Sequence, residues 1–299
     1  MVGKKQILDD IEFSKAFKNL AQAYEEIASS RMQRIRNSVL ASRDFLFGIN
    51  SIFQQVKSSY KGDVRIIMKK KGIKNRDLAR FTKHNGKTLF VLLSTNTGLY
   101  GEIVQRTFDA FAKELKKAWR SSPEENQTHV AISGRLGVKL FQQDFPKKPY
   151  YFFELSDNRM DQTGVKNIIP YLIQYEKIIV FYEQFQNVVT SIPIATSVSG
   201  DILPWQNTES DQFKYVFEPS LETVMEYFEK EIIQTIFEQI VFESLLAKFS
   251  SRMVALEETS ESIEDKLKKL NRKHQIIKHE ELNKKQNQTF SSMRMWTAK

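Results

Sequence analysis

The chain has 299 residues, no cysteine, 41% hydrophobic residues and a formal charge of +9 from 45 basic and 36 acidic residues. The absence of cysteine excludes disulfides, thiol catalysis and cysteine-based metal sites. No apolar run approaches the roughly 20 residues that a membrane-spanning helix needs, so no direct membrane insertion is expected.

Glycine and proline divide the chain. After Gly3 neither occurs until Gly48, neither occurs from Ser220 to Lys299, and all seven prolines lie between. Long breaker-free segments point to coiled-coil helices, and no self-similar repeat offers another explanation. The opening Met1–Val2–Gly3–Lys4–Lys5 meets Asp9 and Asp10 without an apolar signal-peptide core, so a cytosolic protein, or one peripheral on a membrane machine, is expected. In the first segment Phe13, Phe17, Leu20, Tyr24 and Ile27 repeat in a 4-3-4-3 spacing, the pattern of a narrow helical seam. Ile35, Val39, Leu46, Ile49 and Phe53 resume it in a shifted register.

Between Lys57 and Lys87 eleven Lys/Arg face only Asp63 and Asp77, so the charge excess is one local basic segment. A nucleic-acid interface would set such a patch on a recognisable module with exposed aromatics. This run is lysine-rich with Phe81 as its nearest aromatic, and no nucleic-acid partner is expected. Within it Asn85–Gly86–Lys87–Thr88 resembles the tail of a phosphate loop, but Phe81 stands where the first glycine belongs. Its Lys–Thr pair also leads into a strand, whereas the motif must open a helix.

The middle alternates strand-like and helical patterns. Thr88–Ser94 reads as a buried strand, Ile103–Trp119 as a helix, His129–Ile132 as a strand, and a short helix starts near Gly137. Tyr150–Leu155 follows as a strand and Val165–Gln174 as a helix; Lys177–Phe181 leads through Gln184–Gln186 to Val188–Thr190 as a hairpin. Such alternation implies an open, Rossmann-like α/β sheet. The turn Ser94–Gly101 lacks G-x-G-x-x-G and a matching downstream acid, so its glycines are read as allowing tight strand–helix packing. His84 and His129 are isolated, and His274 and His279 are five apart, on different helix faces. No metal, cofactor or catalytic constellation is expected.

The last segment carries a wide apolar stripe: Leu221, Val224, Met225, Phe228, Ile232, Ile236, Ile240, Leu245, Phe249, Met253 and Leu256. It narrows to a 4-3-4-3 seam of Ile263, Leu267, Leu270, His274 and Ile277. A helix from Ser220 to Lys285 would span on the order of 100 Å, more than a globular domain of this chain. The expected fold is mixed α+β and α/β: a long antiparallel coiled coil of N- and C-terminal helices plus a Rossmann-like α/β domain. The expected divisions are residues 1–57 (first helix), 58–87 (basic connection), 88–219 (α/β domain) and 220–299 (last helix).

Several segments resemble, in order along the chain, the gamma subunit of F-type ATP synthases. Ile27–Ala28–Ser29–Ser30–Arg31–Met32 is similar to the family's small-residue stretch ending in Lys/Arg-Met. Leu93–Gly101 resembles its S-[TD]-x-G-L-[CA]-G turn, Ile132–Gly137 its next strand turn, and Phe217–Glu218–Pro219 its Y-E-P. Ser251–Arg252–Met253–Val254–Ala255–Leu256 resembles A-R-M-x-A-M, Leu270–Gln275 resembles Y-N-[KR]-x-R-Q, and Glu281–Leu282 the E-L near the end. The resemblance implies a non-catalytic central-stalk rotor subunit, peripheral on the cytoplasmic face of the bacterial plasma membrane. By the same resemblance it would couple ion-driven rotation to ATP synthesis and hydrolysis. Its implied partners are the hexamer of alpha and beta subunits, the epsilon subunit and the membrane rotor ring.

By position, Arg31, Met32, Arg34, Arg36, Arg252, Met253, His274 and Gln275 are the expected partner contacts. The chain departs from the family pattern at His274 (Arg in the family), at the acidic Glu257–Glu261, and in its final residues. These departures leave open a gamma-like shaft in a rotary ATPase that is not a proton-driven synthase. A coiled-coil scaffold or nucleic-acid binder using residues 57–87 is the third alternative.

Overall fold

In a computed structural model, residues 4–59, 84–98, 100–121, 127–198 and 218–297 are described. Most of the basic 58–87 segment therefore lies outside the described residues, as does Phe217. The elements in chain order are α1 (Lys4–Ser59), β1 (Thr88–Leu93), α2 (Ile103–Ser121), β2 (Thr128–Ser133) and α3 (Arg135–Asp144). They continue with β3 (Tyr151–Phe153), α4 (Gln162–Leu172), β4 (Lys177–Phe185), β5 (Ser191–Ser197) and α5 (Leu221–Thr297). Two compact units emerge: a helical one, residues 1–28 with 253–299, and a sheet-centred one, residues 29–252.

In the helical unit, α1 and α5 run antiparallel, because Lys4 Nζ bonds Glu281 at 2.6 Å and Lys18 Nζ bonds Glu264 at 3.0 Å. On α5 the least exposed positions beyond Ser260 are Ile263, Leu267, Leu270, His274 and Ile277, the seam read from the sequence. The α1 seam is a correction. Phe13, Phe17, Leu20, Tyr24 and Ile27 are exposed, Phe13 by 70%, while Ile7, Ile11, Ser14, Ala21 and Ala28 are buried. Ile35 and Val39 are buried too and keep the heptad phase of Ile7, so the expected register shift does not exist. Burial and size part company on this helix: the buried line includes the small Ser14, Ala21 and Ala28, and the rings lie off it.

In the sheet unit the strand order is β3-β2-β1-β4-β5, with β1–β4 parallel and β5 antiparallel at one edge. The hairpin is present, but its second strand begins at Ser191, and Asn187 closes the turn through bonds to its carboxamide oxygen from the amides of Val189 (3.0 Å) and Thr190 (2.8 Å). The Lys87–Thr88 pair does enter β1, with Gly86 at φ 71°. One sheet face buries Phe90, Leu92, Val130, Ile132 and Phe181 against Phe108, Phe111 and Leu115 of α2 and Phe141 of α3. The right-handed crossover from β3 back to β4 sets α4 on the opposite face. That face also receives α5: Tyr182 donates to Glu243 at 3.2 Å, and Phe153 packs on Phe237. Around Glu243–Ser250 almost every α5 residue is buried, as expected of a helix enclosed on all sides.

Strand order reverses between β1 and β4, where doubly wound sheets open a ligand crevice beyond the strand ends. Here α5 fills it. Lys248 is buried and donates to the Ser94 carbonyl at 2.7 Å. With Thr95, Thr107, Glu183 and Ser244 it leaves a void of about 10 Å³, roughly one water. Close packing falls elsewhere than expected: a Cβ at Gly98 would meet nothing, but at Gly134 it would lie 2.5 Å from Thr95 N and at Gly137 2.5 Å from Ser94 Cβ.

Two stability predictions follow from these contacts. Ala28→Leu overpacks the seam and should cost about 1–3 kcal/mol, whereas Phe17→Ser should change stability by about 0.5 kcal/mol or less; urea melts of both variants decide which face is the seam. Burial lowers the Lys248 ammonium from 10.5 to about 8, against the pull of Asp157. The unfolded chain therefore holds more protons between those pH values, and stability gains about 3 kcal/mol as pH rises from 8 to 10.5. Below pH 8 the full cost of burying the charge is present. Lys248→Met should abolish that gain, read as the difference between wild-type and variant urea melts across the window.

Candidate partner-binding surface

Of the two motif arginines expected to face partners, Arg252 is buried in the sheet unit and Arg31 is half-buried. The Arg252 guanidinium lies 4.1 Å from the Tyr100 ring centroid and is 8% exposed, and Ser251 Oγ donates to the Tyr100 carbonyl at 2.7 Å. The A-R-M-like and S-x-x-G-L-like segments, whose bonded residues lie 151 apart in the chain, are thus in direct contact. Burial pushes the Tyr100 hydroxyl pKa up, with Asp157 adding to it and Arg252 opposing. Arg31 donates to Asn158 Oδ1 at 2.6 Å and sits 5.9 Å from the Phe249 ring. The buried Asp157 carboxylate accepts from the amides of Asn96 (2.6 Å) and Thr97 (3.2 Å), and Asn96 Nδ2 donates to the Leu155 carbonyl. The strand-end turns are therefore stitched into one rigid edge.

The other expected contacts divide by exposure. Arg34, Arg36 and Gln275 are exposed; Met32, Met253 and His274 are half-buried, His274 within the α5 seam. His84 and His129 have structural partners. His84 Nε2 lies 3.3 Å from Glu229 and Nδ1 3.0 Å from the Ile173 carbonyl. His129 links Lys87 to Tyr175, and burial, helped by Lys87, holds its pKa low. The described residues include no cluster of His, Asp and Glu able to hold a metal ion. The acids Glu154, Asp157 and Asp161 line an open hollow of about 280 Å³. Asp157 and Asp161 are already spent on backbone amides, Asp161 capping α4 through Gly164 at 2.9 Å.

The largest surface feature of the helical unit was missed as such. Phe13, Phe17, Leu20, Tyr24 and Ile27 form an exposed apolar stripe along α1, with Phe13 and Phe17 stacked at 6.2 Å. Contiguous apolar surface of this size marks an interaction site. The signal was present in the sequence as two apolar stripes on one helix, Ile7–Ile11 and Phe13–Ile27, of which the bulkier drew the seam assignment.

Among the described residues no helix is long and apolar enough to cross a membrane. The ATP synthase family model matches residues 4–281. ATP synthase gamma chains from Symbiobacterium thermophilum and Actinobacillus pleuropneumoniae are similar at 23% and 21% identity, over 89% and 88% of both chains. A chain of the Tetrahymena thermophila mitochondrial ATP synthase central stalk and c-ring structure has the same fold, with a TM-score of 0.56 at 17% identity over 81% of this chain and 99% of that one. A chain of the Euglena gracilis mitochondrial assembly of OSCP, F1 and c-ring follows with a TM-score of 0.51 at 12% identity, over 90% and 96%. The chain belongs to the ATP synthase family as one of its gamma chains, non-catalytic subunits of the central stalk.

Proposed function

We propose that this gamma chain turns inside a hexamer of alpha and beta subunits and couples ion-driven rotation of a membrane ring to ATP synthesis and hydrolysis there. Its α/β domain, residues 88–219, binds the epsilon subunit and the ring, residues 1–57 and 220–299 supply the shaft, and 58–87 is the basic connection. The subunit is peripheral, at the cytoplasmic face of the bacterial plasma membrane. Arg34, Arg36 and Gln275, with Met32, Met253 and His274 beside them, are its polar and flanking contacts to the hexamer. Arg31 and Arg252 set the helices from which those contacts project.

The observation that carries this reading is the exposed stripe Phe13–Ile27 on a helix whose seam is already sealed. A shaft must exchange neighbours as it turns. Apolar contact is non-directional, whereas hydrogen bonds demand fixed geometry, so an apolar stripe suits a bearing. A second reading, a gamma-like shaft in a rotary ATPase that is not a proton-driven synthase, draws on Glu257, Glu258 and Glu261. All three are exposed, and their like charges favour a partner surface unlike the usual one.

Purification of the tagged protein from its host tests the reading directly: alpha and beta subunits should accompany it, and a preparation without nucleotide-binding ring subunits would refute the proposal. The Phe13→Ser/Phe17→Ser double variant should weaken ring association about tenfold or more, since burying each ring is worth roughly 1.5–3 kcal/mol. Ion pumping per ATP hydrolysed should fall with it, while the urea midpoint of the free subunit stays near wild type.

A further inference from the structure

The amino ends of β1 and β2 carry a chain of polar side chains that takes no part in the partner surface. Lys87 Nζ lies 3.3 Å from His129 Nε2, His129 Nδ1 lies 2.8 Å from the Tyr175 hydroxyl, and Tyr175 donates to the Tyr171 hydroxyl at 2.8 Å. The bonds of the imidazole are directed from both ends. A lysine ammonium can only donate, so Nε2 accepts and carries no proton. The Tyr175 proton is spent on Tyr171, so its oxygen accepts from Nδ1–H. Only the neutral imidazole with its proton on Nδ1 satisfies both neighbours. Burial and the bond to Tyr171 keep the Tyr175 hydroxyl protonated, and Tyr151 stacks on Tyr171 with ring centroids 4.1 Å apart. The same place holds the entry to β1. The Lys87 amide donates to Asn85 Oδ1 at 2.9 Å, and the Lys87 carbonyl accepts from the amides of Glu176 and Lys177 at 3.0 and 3.3 Å.

We propose that His129 is a proton-operated clasp, which holds Lys87 and with it the entry to β1 only while its imidazole is neutral. Protonation places an N–H on Nε2, facing the ammonium. Two donors of like charge then repel, and the clasp opens at Lys87 while Nδ1–H still serves Tyr175. The groups around the ring leave that repulsion standing. Tyr171 and Tyr175 face it from α4 and the turn that follows, and the Glu176 carboxylate, at the head of β4, lies against Gly86 instead. Among the described residues the Lys87 ammonium is the one charge that acts on His129, and together with burial it holds the ring below its ordinary value of 6.5. The folded chain therefore binds this proton less tightly than the unfolded chain. The clasp's contribution is complete above pH 6.5 and is lost as pH falls below it, through the lowered value. Open, it presents two cations at the amino edge of the sheet, so acidification changes the charge of that edge as well as its rigidity.

Imidazole nitrogen-15 spectra of the full-length chain test the tautomer. At about pH 7.5 His129 should show a protonated Nδ1 and a bare Nε2, and it should titrate below 6.5. Lys87→Met should move that titration up toward 6.5 and leave Nδ1–H on Tyr175. Amide exchange tests the clasp: at Lys87, Glu176 and Lys177 it should quicken about tenfold between about pH 7.5 and about pH 5.5, after correction for the intrinsic rate. In His129→Gln the carboxamide offers one donor and one acceptor at every pH, and the corrected rates should stay level. A proton on Nε2 at neutral pH, a titration at or above 6.5, or equal quickening in His129→Gln would overturn the proposal. Should His129→Gln fail to fold, the spectra of wild type and Lys87→Met still decide.

Discussion

The structure depends on how a five-stranded sheet holds a 77-residue helix. The tie is made at the carboxyl end of β1. There Lys248 is buried against the Ser94 carbonyl, Ser251 bonds the Tyr100 carbonyl, and Arg252 covers the Tyr100 ring. Three of five consecutive α5 residues thus fix its rotation about its own axis relative to the sheet. A helix seated by apolar contact alone can slip by a turn, because ridges and grooves repeat. A buried ammonium cannot, since moving it leaves an unpaired charge inside the protein.

The same tie occupies the switch point of the doubly wound sheet. Crevices beyond the strand ends of a doubly wound sheet are opened by topology and become sites when loops leave them open. In this chain the space is taken by Lys248, and the backbone of the β1 turn is held by Asp157 and pressed against Gly134 and Gly137. Glycines that in a dinucleotide fold admit a pyrophosphate instead admit neighbouring protein backbone. At this point of the sheet the chain's own helix stands where a ligand crevice would open.

Most of this architecture was legible in the sequence, because missing breakers and alternating patterns are large signals. The α5 seam could be read since Ile263, Leu267, Leu270 and Ile277 are both bulky and, with His274, the least exposed residues of that stretch. On α1 the two properties separate. Burial falls on Ser14, Ala21 and Ala28 and bulk on Phe13, Phe17 and Tyr24, so ranking by hydrophobicity selects the wrong face. The inward turn of Arg252 was equally hidden, since an arginine is ordinarily solvated. Only the three-dimensional proximity of Tyr100 supplies a ring to receive it. The hydrogen bonds of Asn187 were short-range and readable in principle, yet Val188–Thr190 carry strand-forming residues that pulled the second strand forward.

Small residues at the seam and large ones outside follow from one requirement. If the aromatics of α1 lined the seam, the two helices would stand farther apart and their outer faces would be polar. Burying serine and alanine in the seam leaves the rings for the surface. It also makes the pair stiff, because close-packed interiors have low compressibility. Inside the protein, cations are immobilised on carbonyls and rings; on the outside of α1, contact is apolar and non-directional. A subunit that must carry torque within itself and turn against its surroundings needs those two kinds of surface in that arrangement, and a catalytic subunit does not.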